Sequence, residues 1–291
     1  MKKVLLFFII SLLGLPNLMA QEEPTSAWTK GADLSFALSQ VSLSNWAAGG
    51  EGSVAINAFG NFKLNYKEGK NDWQNKLELA YGMINSGNTE YKKSDDKIHF
   101  ESKYGYQASK KLYYTAILSF RSQFIEGYNY PANAEKVYLS NFLAPGYLNF
   151  SLGINWKANE FFSVFVGPIS PKLTIVNDEV LSQQGAFGVE VGEKTRFEMG
   201  GVIIANFKKE VVKNVELATN LELYTNYLKN PQNIDVNWDM MIIMKVNKYL
   251  SANISTNLLY DDDIMITDND GNIGPRVQFK EVVGVGITVK L

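Results

Sequence analysis

The sequence alternates between apolar residues and small or polar ones, and the alternation is most regular near the end of the chain. From Val283 to Leu291 the odd positions hold Val, Val, Ile, Val and Leu, and the even positions hold Gly, Gly, Thr and Lys. A period of two predicts a β-strand with two chemically different faces. We expect this last strand to close a barrel by pairing with the first one, because a closed barrel leaves no edge unpaired.

Earlier segments show the same strand-like character, and most exceed the roughly five to six residues typical of strands in soluble sheets. No long helical pattern interrupts them. The predicted strands are Gly31–Leu43, Gly52–Tyr66, Asp72–Asn85, Lys97–Ala108, Leu112–Phe124, Tyr147–Trp156, Phe161–Val176, Thr195–Phe207, Val215–Asn226, Ile234–Val246, Leu250–Asp261 and Arg276–Leu291.

The connections between these segments alternate in length. Predicted short turns are Lys67–Asn71, Ser109–Lys111, Lys157–Glu160, Lys208–Asn214 and Asn247–Tyr249, and predicted longer loops are Ser44–Glu51, Ser86–Asp96, Ile125–Gly146, Asn177–Lys194, Tyr227–Asn233 and Asp262–Pro275. With an even number of strands, every short turn lies at the end that holds both termini. The pattern therefore predicts an all-β fold, a transmembrane antiparallel up-and-down β-barrel of about 12 strands with periplasmic termini.

Alternation alone does not decide which face looks outward. In Tyr147–Trp156 one face is apolar and the other polar, and a lipocalin-like barrel would turn the apolar face inward. Two observations favour the opposite orientation of a membrane barrel. Charges of both signs lie along the polar face at strand centres, and aromatic residues gather at strand ends, as in the girdles of membrane barrels. The aromatic residues beside the short turns are Tyr66, Trp73, Tyr113, Tyr114, Trp156, Phe161, Phe162, Phe207 and Tyr249, and those on the loop side are Trp46, Phe124, Tyr128, Tyr130 and Tyr260.

This orientation predicts a lumen lined by charged side chains of both signs. If they face one another across a narrow lumen, they create a polar pore for solutes. If they pair with each other, they close the interior instead. The candidate lumen-lining residues are Lys76, Glu78, Lys97, His99, Glu101, Lys103, Arg121, Arg196, Glu198, Glu222, Asp235 and Asp239.

The first residues have the pattern of a secretory signal peptide. Lys2 and Lys3 precede the apolar run Val4–Leu13, and Ala20 offers a small residue at the cleavage site. An uncleaved anchor is the alternative, but this run is shorter than the roughly 20 residues that a spanning helix needs. We predict a signal peptide at 1–20, a periplasmic lead at 21–30 and an outer-membrane β-barrel at 31–291.

Composition is compatible with this class and excludes others. The net charge of -2 and the pI of about 5.7 give no basic field for nucleic acid. The mean hydropathy of -0.13 suits a barrel, because only alternate strand residues face lipid. The chain has no cysteine, which excludes disulfides, thiol catalysis and attachment of lipid to an N-terminal Cys.

Candidate chemistry is sparse. His99 is the only histidine, and an outer-membrane lipid hydrolase would need a serine and a histidine together at the lipid-facing rim. No lipase-type motif occurs, so we predict a hydrogen-bonding or ion-pairing His99 and no enzyme. Asp261–Asp263 and Asp268–Asn272 are acidic enough to suggest calcium, but Ile266 stands where the first ligand of an EF-type loop belongs, and a solvated turn is the alternative. We predict no metal site and no cofactor.

Two loops are long or apolar enough to have a role of their own. Ile125–Gly146 contains Tyr128, Tyr130, Tyr138 and Phe142, and Val180–Gly188 is small and apolar. Either loop folds into the mouth of the barrel and constricts it, or it remains a surface loop. Loops of such length are often functional.

Three stretches resemble a family of uncharacterised outer-membrane β-barrels of Gram-negative bacteria, which is catalogued as a domain of unknown function. They are Leu43–Glu51, Ser170–Asn177 together with Gly185–Gly188, and Gly274–Val282. The resemblance implies a barrel in the outer membrane and brings no reaction with it.

Two functions of different classes fit these predictions. The first is a narrow passive channel for small polar solutes. The second is a non-conducting scaffold or accessory barrel that binds another envelope protein through its loops. A lipid hydrolase is a remote third. The expected partners are outer-membrane lipid, the barrel-insertion machinery and, for the scaffold, that envelope protein; we expect no nucleic acid.

Overall fold

The computed structural model describes residues 26–41, 52–86, 90–131, 135–247, 250–267 and 272–290. The predicted signal peptide and the Leu43–Glu51 stretch lie outside these ranges. The described strands are β1 (Trp28–Val41), β2 (Ser53–Glu68), β3 (Asn71–Ser86), β4 (Lys92–Gln107), β5 (Leu112–Ser122), β6 (Gly127–Asn129), β7 (Val137–Ser140), β8 (Gly146–Lys157), β9 (Phe162–Ile175), β10 (Thr195–Val212), β11 (Val215–Asn226), β12 (Asp235–Lys245), β13 (Leu250–Tyr260), β14 (Met265–Thr267), β15 (Ile273–Pro275) and β16 (Gln278–Lys290).

Twelve of these strands form one closed antiparallel barrel, in the order β1-β16-β13-β12-β11-β10-β9-β8-β5-β4-β3-β2. The ring closes where β16 pairs with β1, from Asp33 opposite Lys290 to Ala37 opposite Gly286. The predicted closure by the last strand and the predicted count of about twelve strands are both confirmed. The remaining strands form two small hairpins, β6 with β7 and β14 with β15.

The strand bounds follow the predictions closely, with two larger differences. β11 begins and ends at the predicted residues, whereas β4 begins at Lys92 instead of Lys97 and β10 extends to Val212 instead of Phe207. The added residues of both strands pair with a neighbouring strand, although their sequences do not alternate regularly between apolar and polar residues. As a result the turn after β10 is tight and the loop before β4 is shorter than predicted, so the contrast between short turns and long loops holds.

The apolar face looks outward. On β8, Leu148, Phe150 and Ile154 are 38%, 39% and 48% exposed, whereas Ser151 and Asn155 are 7% and 1% exposed. A closed barrel with apolar side chains outside and polar ones inside is the arrangement of a barrel surrounded by membrane lipid. The lipocalin-like orientation is therefore excluded.

On strands from β1 to β10, aromatic side chains form a partial girdle at the end of the barrel that holds the short turns. The Trp28 ring lies 5.1 Å from Tyr66 and 5.8 Å from Trp73, between ring centroids, and Phe161 lies 5.7 Å from Phe207. Tyr113 differs from its predicted place in this girdle. It faces the lumen, where Lys157 Nζ lies 4.3 Å from its ring centre, because the neighbouring Tyr114 takes the outward position.

The loops opposite the termini contain short elements that periodicity did not predict. Helix α1 (Glu179–Gln183) begins after Asp178, whose side chain accepts the Leu181 N–H. A helix this short is not stable alone, so its packing against the loops must hold it. Among the described residues no helix is long and apolar enough to cross a membrane.

Candidate functional site

The lumen is the candidate site, and the charged side chains of the barrel interior are its main feature. The predicted ones come from β3, β4 and β5 on one side and from β10, β11 and β12 on the other. The twelve predicted lumen residues occupy positions opposite to the lipid-facing set on these strands: Lys76 and Glu78 (β3), Lys97, His99, Glu101 and Lys103 (β4), Arg121 (β5), Arg196 and Glu198 (β10), Glu222 (β11), Asp235 and Asp239 (β12).

Glu78 is the centre of the first charged group. Its carboxylate lies 3.1 Å from Lys76 Nζ, 2.9 Å from Lys97 Nζ and 3.3 Å from His99 Nδ1. Glu101 stands directly opposite Lys76 in the ladder between β3 and β4. One carboxylate thus holds three basic groups, and His99 is 4% exposed, as suits a hydrogen-bonding residue of the wall.

Arg121 joins two opposite regions of the wall. Its Nη2 lies 3.1 Å from Oε2 of Glu222, and β8, β9 and β10 separate the two strands in the sheet. A direct ion pair between strands so far apart in the ring must cross the lumen. On β12, the strand next to that of Glu222, Asp239 accepts a hydrogen bond of 2.9 Å from Asn257 on β13.

A second network lies closer to the long loops. Glu198 contacts Arg196 at 2.8 Å and Lys172 at 3.2 Å, and Lys172 also contacts Asp235 at 3.4 Å. Since Lys172 lies on β9 and Asp235 on β12, this pair also bridges strands that are not neighbours. Sequence reasoning missed Lys172, although its place in a predicted strand was a usable signal.

A third group lies near the short turns. The Lys157 ammonium contacts the Asp72 carboxylate, and Lys103 Nζ donates to Asn155 Oδ1 at 3.4 Å. Together with Tyr113 and Thr115 these residues line a narrow pocket, so side chains fill most of this sector of the lumen.

The two halves of the lumen are filled differently. Most of the buried polar side chains lie on the strands from β4 to β10: His99, Thr115, Ser119, Ser151, Asn155, Ser170, Thr174 and Glu198. On the opposite wall inward side chains remain partly exposed, including Asp33 at 34%, Lys63 at 35% and Met241 at 42%. Water therefore reaches β1, β2 and β12 from inside the barrel, and it also reaches Lys97 on β4, whose side chain is 42% exposed.

An apolar cluster also lies in the lumen, against the filled wall. It consists of Ile117, Phe165, Val202 and Tyr224, all at most 7% exposed, with Ile204 packed against it. The sequence analysis named only charged residues as candidates for the lumen and did not predict this apolar cluster. The signal was present in β9, where Val164, Phe165 and Val166 place apolar residues on both faces.

The two loops singled out from the sequence pack on each other at the mouth. Ala144, Val176, Leu181 and Val189 form a buried apolar core, with Tyr138, Ala186 and Phe187 packed against it. We call this unit the cap. A Cβ on Gly188 would overlap the Arg196 guanidinium, so the backbone of the cap lies directly on a residue of the lumen. The loops therefore reach into the mouth.

A hydrogen bond between Tyr138 and Asp178 links the two loops of the cap. The Tyr138 hydroxyl donates to Asp178 Oδ2 at 2.7 Å. Burial, together with this bond, raises the pKa of Tyr138 to about 12. Burial opposes ionisation of Asp178, but the Leu181 N–H and the Tyr138 hydroxyl both donate to its carboxylate and lower its pKa.

Ion pairs fix other loops to the same mouth. Asp263 binds Arg196 Nη1 at 3.0 Å and Lys229 Nζ at 3.1 Å. Lys280 on β16 contacts Asp95 on β4, and because β1, β2 and β3 separate these strands, this pair also crosses the lumen. Asp263 therefore forms ion pairs with basic side chains of the protein. Among the described residues no group of three potential ligands is arranged for a metal ion, and residues 268–271 of the suggested calcium loop lie outside them.

The closed ring, the apolar exterior and the polar interior define a β-barrel of the outer-membrane type. A family model described as "Protein of unknown function (DUF3078)" matches residues 38–128. The resemblance to an uncharacterised family is confirmed for that stretch, which contains Leu43–Glu51, whereas the other two quoted stretches lie beyond it.

Solved barrels resemble the chain in outline only. An outer-membrane channel from Pseudomonas putida F1 is 9% identical with a TM-score of 0.43, covering 95% of this chain and 100% of its own. The NanC porin is 9% identical with a TM-score of 0.39, covering 90% and 100%. The translocator domain of autotransporter NalP from Neisseria meningitidis is 10% identical with a TM-score of 0.37, covering 92% and 90%. No curated protein sequence matches the chain.

Proposed function

We propose that the chain is a narrow passive channel for small polar solutes in the cell outer membrane. The observation that carries this proposal is the partly exposed inner wall on β1, β2 and β12. Lys63 and Asp33, 3.4 Å apart, give this wall both signs of charge. Met241, at an inward position of β12, is 42% exposed. A polar solute would move along this wall, past the filled half.

The pairs that cross the lumen limit the size of what passes. Arg121 with Glu222 and Lys172 with Asp235 span strands that are not neighbours, so they narrow the path from the side. Because charges of both signs line the path, we expect little preference between anions and cations. The proposed transport involves no catalytic step: His99 is held by Glu78, and the proposal treats the chain as a non-enzyme.

Conductance of the purified barrel in planar lipid bilayers tests the channel. We expect small, stable current steps from the wild type. Arg121→Ser together with Glu222→Ser removes the crossing pair and should enlarge the steps. The matched control is Lys208→Ser with Glu216→Ser, since this pair joins the neighbouring strands β10 and β11, does not cross the lumen and does not line the proposed path. A folded barrel that stays silent in all three forms would contradict the proposal.

A second function, a non-conducting scaffold that binds another envelope protein, is supported by the cap. The cap exposes apolar side chains beside its own core, among them Val137 and Leu139 at 49%, Phe142 at 48% and Val180 at 55%. Cross-linking in intact cells from a photoreactive residue at position 139 would test it. A single, reproducible adduct together with silent bilayers would favour the scaffold.

A further inference from the structure

A groove lies on the outer face of the barrel, across β3, β4, β5 and β8, and it is open to the surrounding lipid. Its volume is about 370 Å³, within the range of roughly 300–1,000 Å³ found for ligand sites. We call it the outer groove. The residues that line it are Trp73, Ser102, Tyr104, Ala116, Leu118 and Phe150.

The outer groove exists because small side chains lie beside large ones on neighbouring strands. Ala116 on β5 stands directly opposite Tyr104 on β4, and Ser102 on β4 stands opposite Leu118 on β5. The two small residues make the floor. The four large side chains make the walls and are each 39% to 42% exposed: Trp73, Tyr104, Leu118 and Phe150.

Hydrogen bonds hold two of these walls in place and occupy the polar atoms of the groove. Trp73 Nε1 donates to Ser102 Oγ at 2.9 Å, and the Ser102 hydroxyl donates to Asn75 Oδ1 at 2.8 Å. The Tyr104 hydroxyl donates to Asn71 Oδ1 at 2.7 Å. The groove therefore offers an apolar surface of fixed shape, and a ligand that binds there orders few additional side chains.

The depth of the outer groove matches the hydrocarbon of one leaflet. Ala116 lies five residues along β5 from Lys111 in the short turn. This separation is roughly 16 Å along the strand, or about 13 Å in depth at a strand tilt of about 40°. One leaflet contributes roughly 15 Å of hydrocarbon. Acyl chains of the leaflet on the side of the short turns therefore surround the groove, and an empty groove would lose dispersion contacts.

Two tyrosines lie between the outer groove and the short turns. Tyr106 on β4 and Tyr114 on β5 stand opposite each other, two residues closer to the turn than Tyr104 and Ala116. They are 43% and 62% exposed. Outward tyrosines near a barrel end belong to the membrane interface, where the hydroxyl lies at the level of the lipid headgroups.

Beyond the tyrosines, two neighbouring turns carry three lysines. Lys70 precedes β3, and Lys110 and Lys111 lie between β4 and β5. The two turns lie side by side, because the Gln107 N–H donates to the Lys70 carbonyl at 2.8 Å. Lys70 Nζ lies 5.8 Å from the ring centre of Tyr106. Within the described ranges, none of these three ammonium groups forms an ion pair.

The acidic residues beside these lysines face elsewhere. Glu68, on the β2 side of the first turn, accepts a hydrogen bond from the Tyr66 hydroxyl, and Asp72 turns to the lumen side and contacts Lys157. Basic side chains at the level of the headgroups attract anionic lipids. Groove, tyrosines and lysines thus follow one another in the order of acyl chain, ester groups and phosphate in a phospholipid.

We propose that this outer face binds one phospholipid with an anionic headgroup. The outer groove holds one acyl chain, Tyr106 and Tyr114 flank the ester groups, and Lys70, Lys110 and Lys111 bind the headgroup phosphate. The site goes beyond the proposed channel and does not depend on it, because it lies outside the wall and the channel runs along the inside of β1, β2 and β12.

Trp73 lines the outer groove and can report the lipid beside it, because bromine atoms on an acyl chain quench tryptophan fluorescence on contact. The reporter barrel keeps Trp73 and carries phenylalanine at the other four tryptophan positions. In phosphatidylcholine vesicles, dibrominated phosphatidylglycerol should associate at Trp73 at least roughly fivefold more strongly than dibrominated phosphatidylcholine. A barrel that keeps only Trp238, 45% exposed on the outer face of β12, is the control and should give a ratio near one.

Removal of the basic groups tests the headgroup site. In the Trp73 reporter, the combined substitutions Lys70→Ser, Lys110→Ser and Lys111→Ser should lower the ratio to about one. The matched control removes three lysines at the turn between β10 and β11, at the same end of the barrel, and should leave the ratio unchanged: Lys208→Ser, Lys209→Ser and Lys213→Ser.

Filling the outer groove tests the acyl-chain site. Native mass spectrometry of the barrel extracted from phosphatidylglycerol vesicles should show one retained lipid, which Ala116→Phe should abolish. Ala205→Phe, at an outward alanine of β10, is the matched control and should keep the lipid. Ala116→Leu replaces the phenylalanine variant if that variant does not fold.

A ratio near one in the Trp73 reporter, or an equal loss with both sets of lysine substitutions, would overturn the anionic headgroup site. Equal retention of phosphatidylglycerol by Ala116→Phe and Ala205→Phe would overturn the outer groove as the place of the acyl chain.

Discussion

Nη2 of Arg121 and Oε2 of Glu222 lie 3.1 Å apart although β8, β9 and β10 stand between their strands. This relationship shows that side chains from distant parts of the ring meet inside the barrel. The interior is therefore a partly packed core with an accessible sector, and the stability of the barrel should depend on it.

Glu222→Gln should destabilise the barrel by about 2 kcal/mol, because it leaves the Arg121 guanidinium without its carboxylate in a confined site. The two side chains are 26% and 19% exposed, which keeps the loss below that of a fully buried pair. Urea unfolding in lipid vesicles measures it. Asp33→Asn breaks a pair that is 35% and 34% exposed and should cost about 0.5 kcal/mol or less. Equal losses of unfolding free energy in the two variants would show that the pair across the lumen stabilises the barrel no more than an exposed pair does.

Phe165→Ala should cost about 3 to 4 kcal/mol, since Phe165 is fully buried in the apolar cluster and its removal leaves a cavity. Phe197→Ala removes the same ring from the lipid-facing side of β10, where Phe197 is 60% exposed. Lipid chains fill the space there, so we expect a loss of about 1 kcal/mol. The same unfolding experiment compares the two, and similar losses would mean that the cluster is loosely packed.

The cap should loosen at both ends of the pH scale. The pKa of Asp178 is lowered, so its contribution is complete above the usual value of about 3.9 and is lost as the pH falls through the lowered value. The pKa of Tyr138 is raised to about 12, so its contribution is complete below the usual value of about 10 and is lost as the pH rises through 12.

A spin label at Val191→Cys, a position on the cap that is 74% exposed, reports this loosening as increased mobility. Asp178→Asn should abolish the acid transition and Tyr138→Phe the alkaline one. If both transitions persisted unchanged in the two variants, other groups would control the cap.

Gly188→Ala should displace the cap from the lumen. Gly188 has a φ of +77°, and its added Cβ would overlap the Arg196 guanidinium. Gly192→Ala is the control: its φ of +87° imposes a similar backbone strain of about 1 kcal/mol, but the nearest atom lies 3.5 Å away on Gln183. Only Gly188→Ala should raise the mobility of the Val191 label. Equal mobility in both variants would show that contact with Arg196 does not hold the cap.

The strands and their orientation were predictable because they depend on a local pattern. β11 and β13 begin at the predicted residues, and the outward face of β8 is the predicted apolar face. Alternation of period two identifies the faces, and the contrast in connection length identifies the two ends. Neither inference requires knowledge of distant parts of the chain.

Partners across the lumen were not predictable in the same way. Which residue meets Arg121 depends on the curvature and stagger of the whole ring, and the sequence around position 121 says nothing about position 222. The bulge in β9 adds a further difficulty, because it changes the phase of the alternation between Phe165 and Ser170. Helix α1 escaped prediction because five residues carry too little periodicity.

Among the described residues, the join between β1 and β16 has five residue pairs, from Asp33–Lys290 to Ala37–Gly286, whereas the join between β1 and β2 has fourteen. It also joins the first and the last described strands, which are the strands farthest apart in sequence, so it forms at a high cost in chain entropy for few described residue pairs. The join between β1 and β16 should therefore form last during folding, and it should be the first pair of strands to separate when the barrel is heated or pulled. Before that last step the two outer edges of the sheet lack hydrogen-bond partners, so the ring must close before or while its wall enters the lipid.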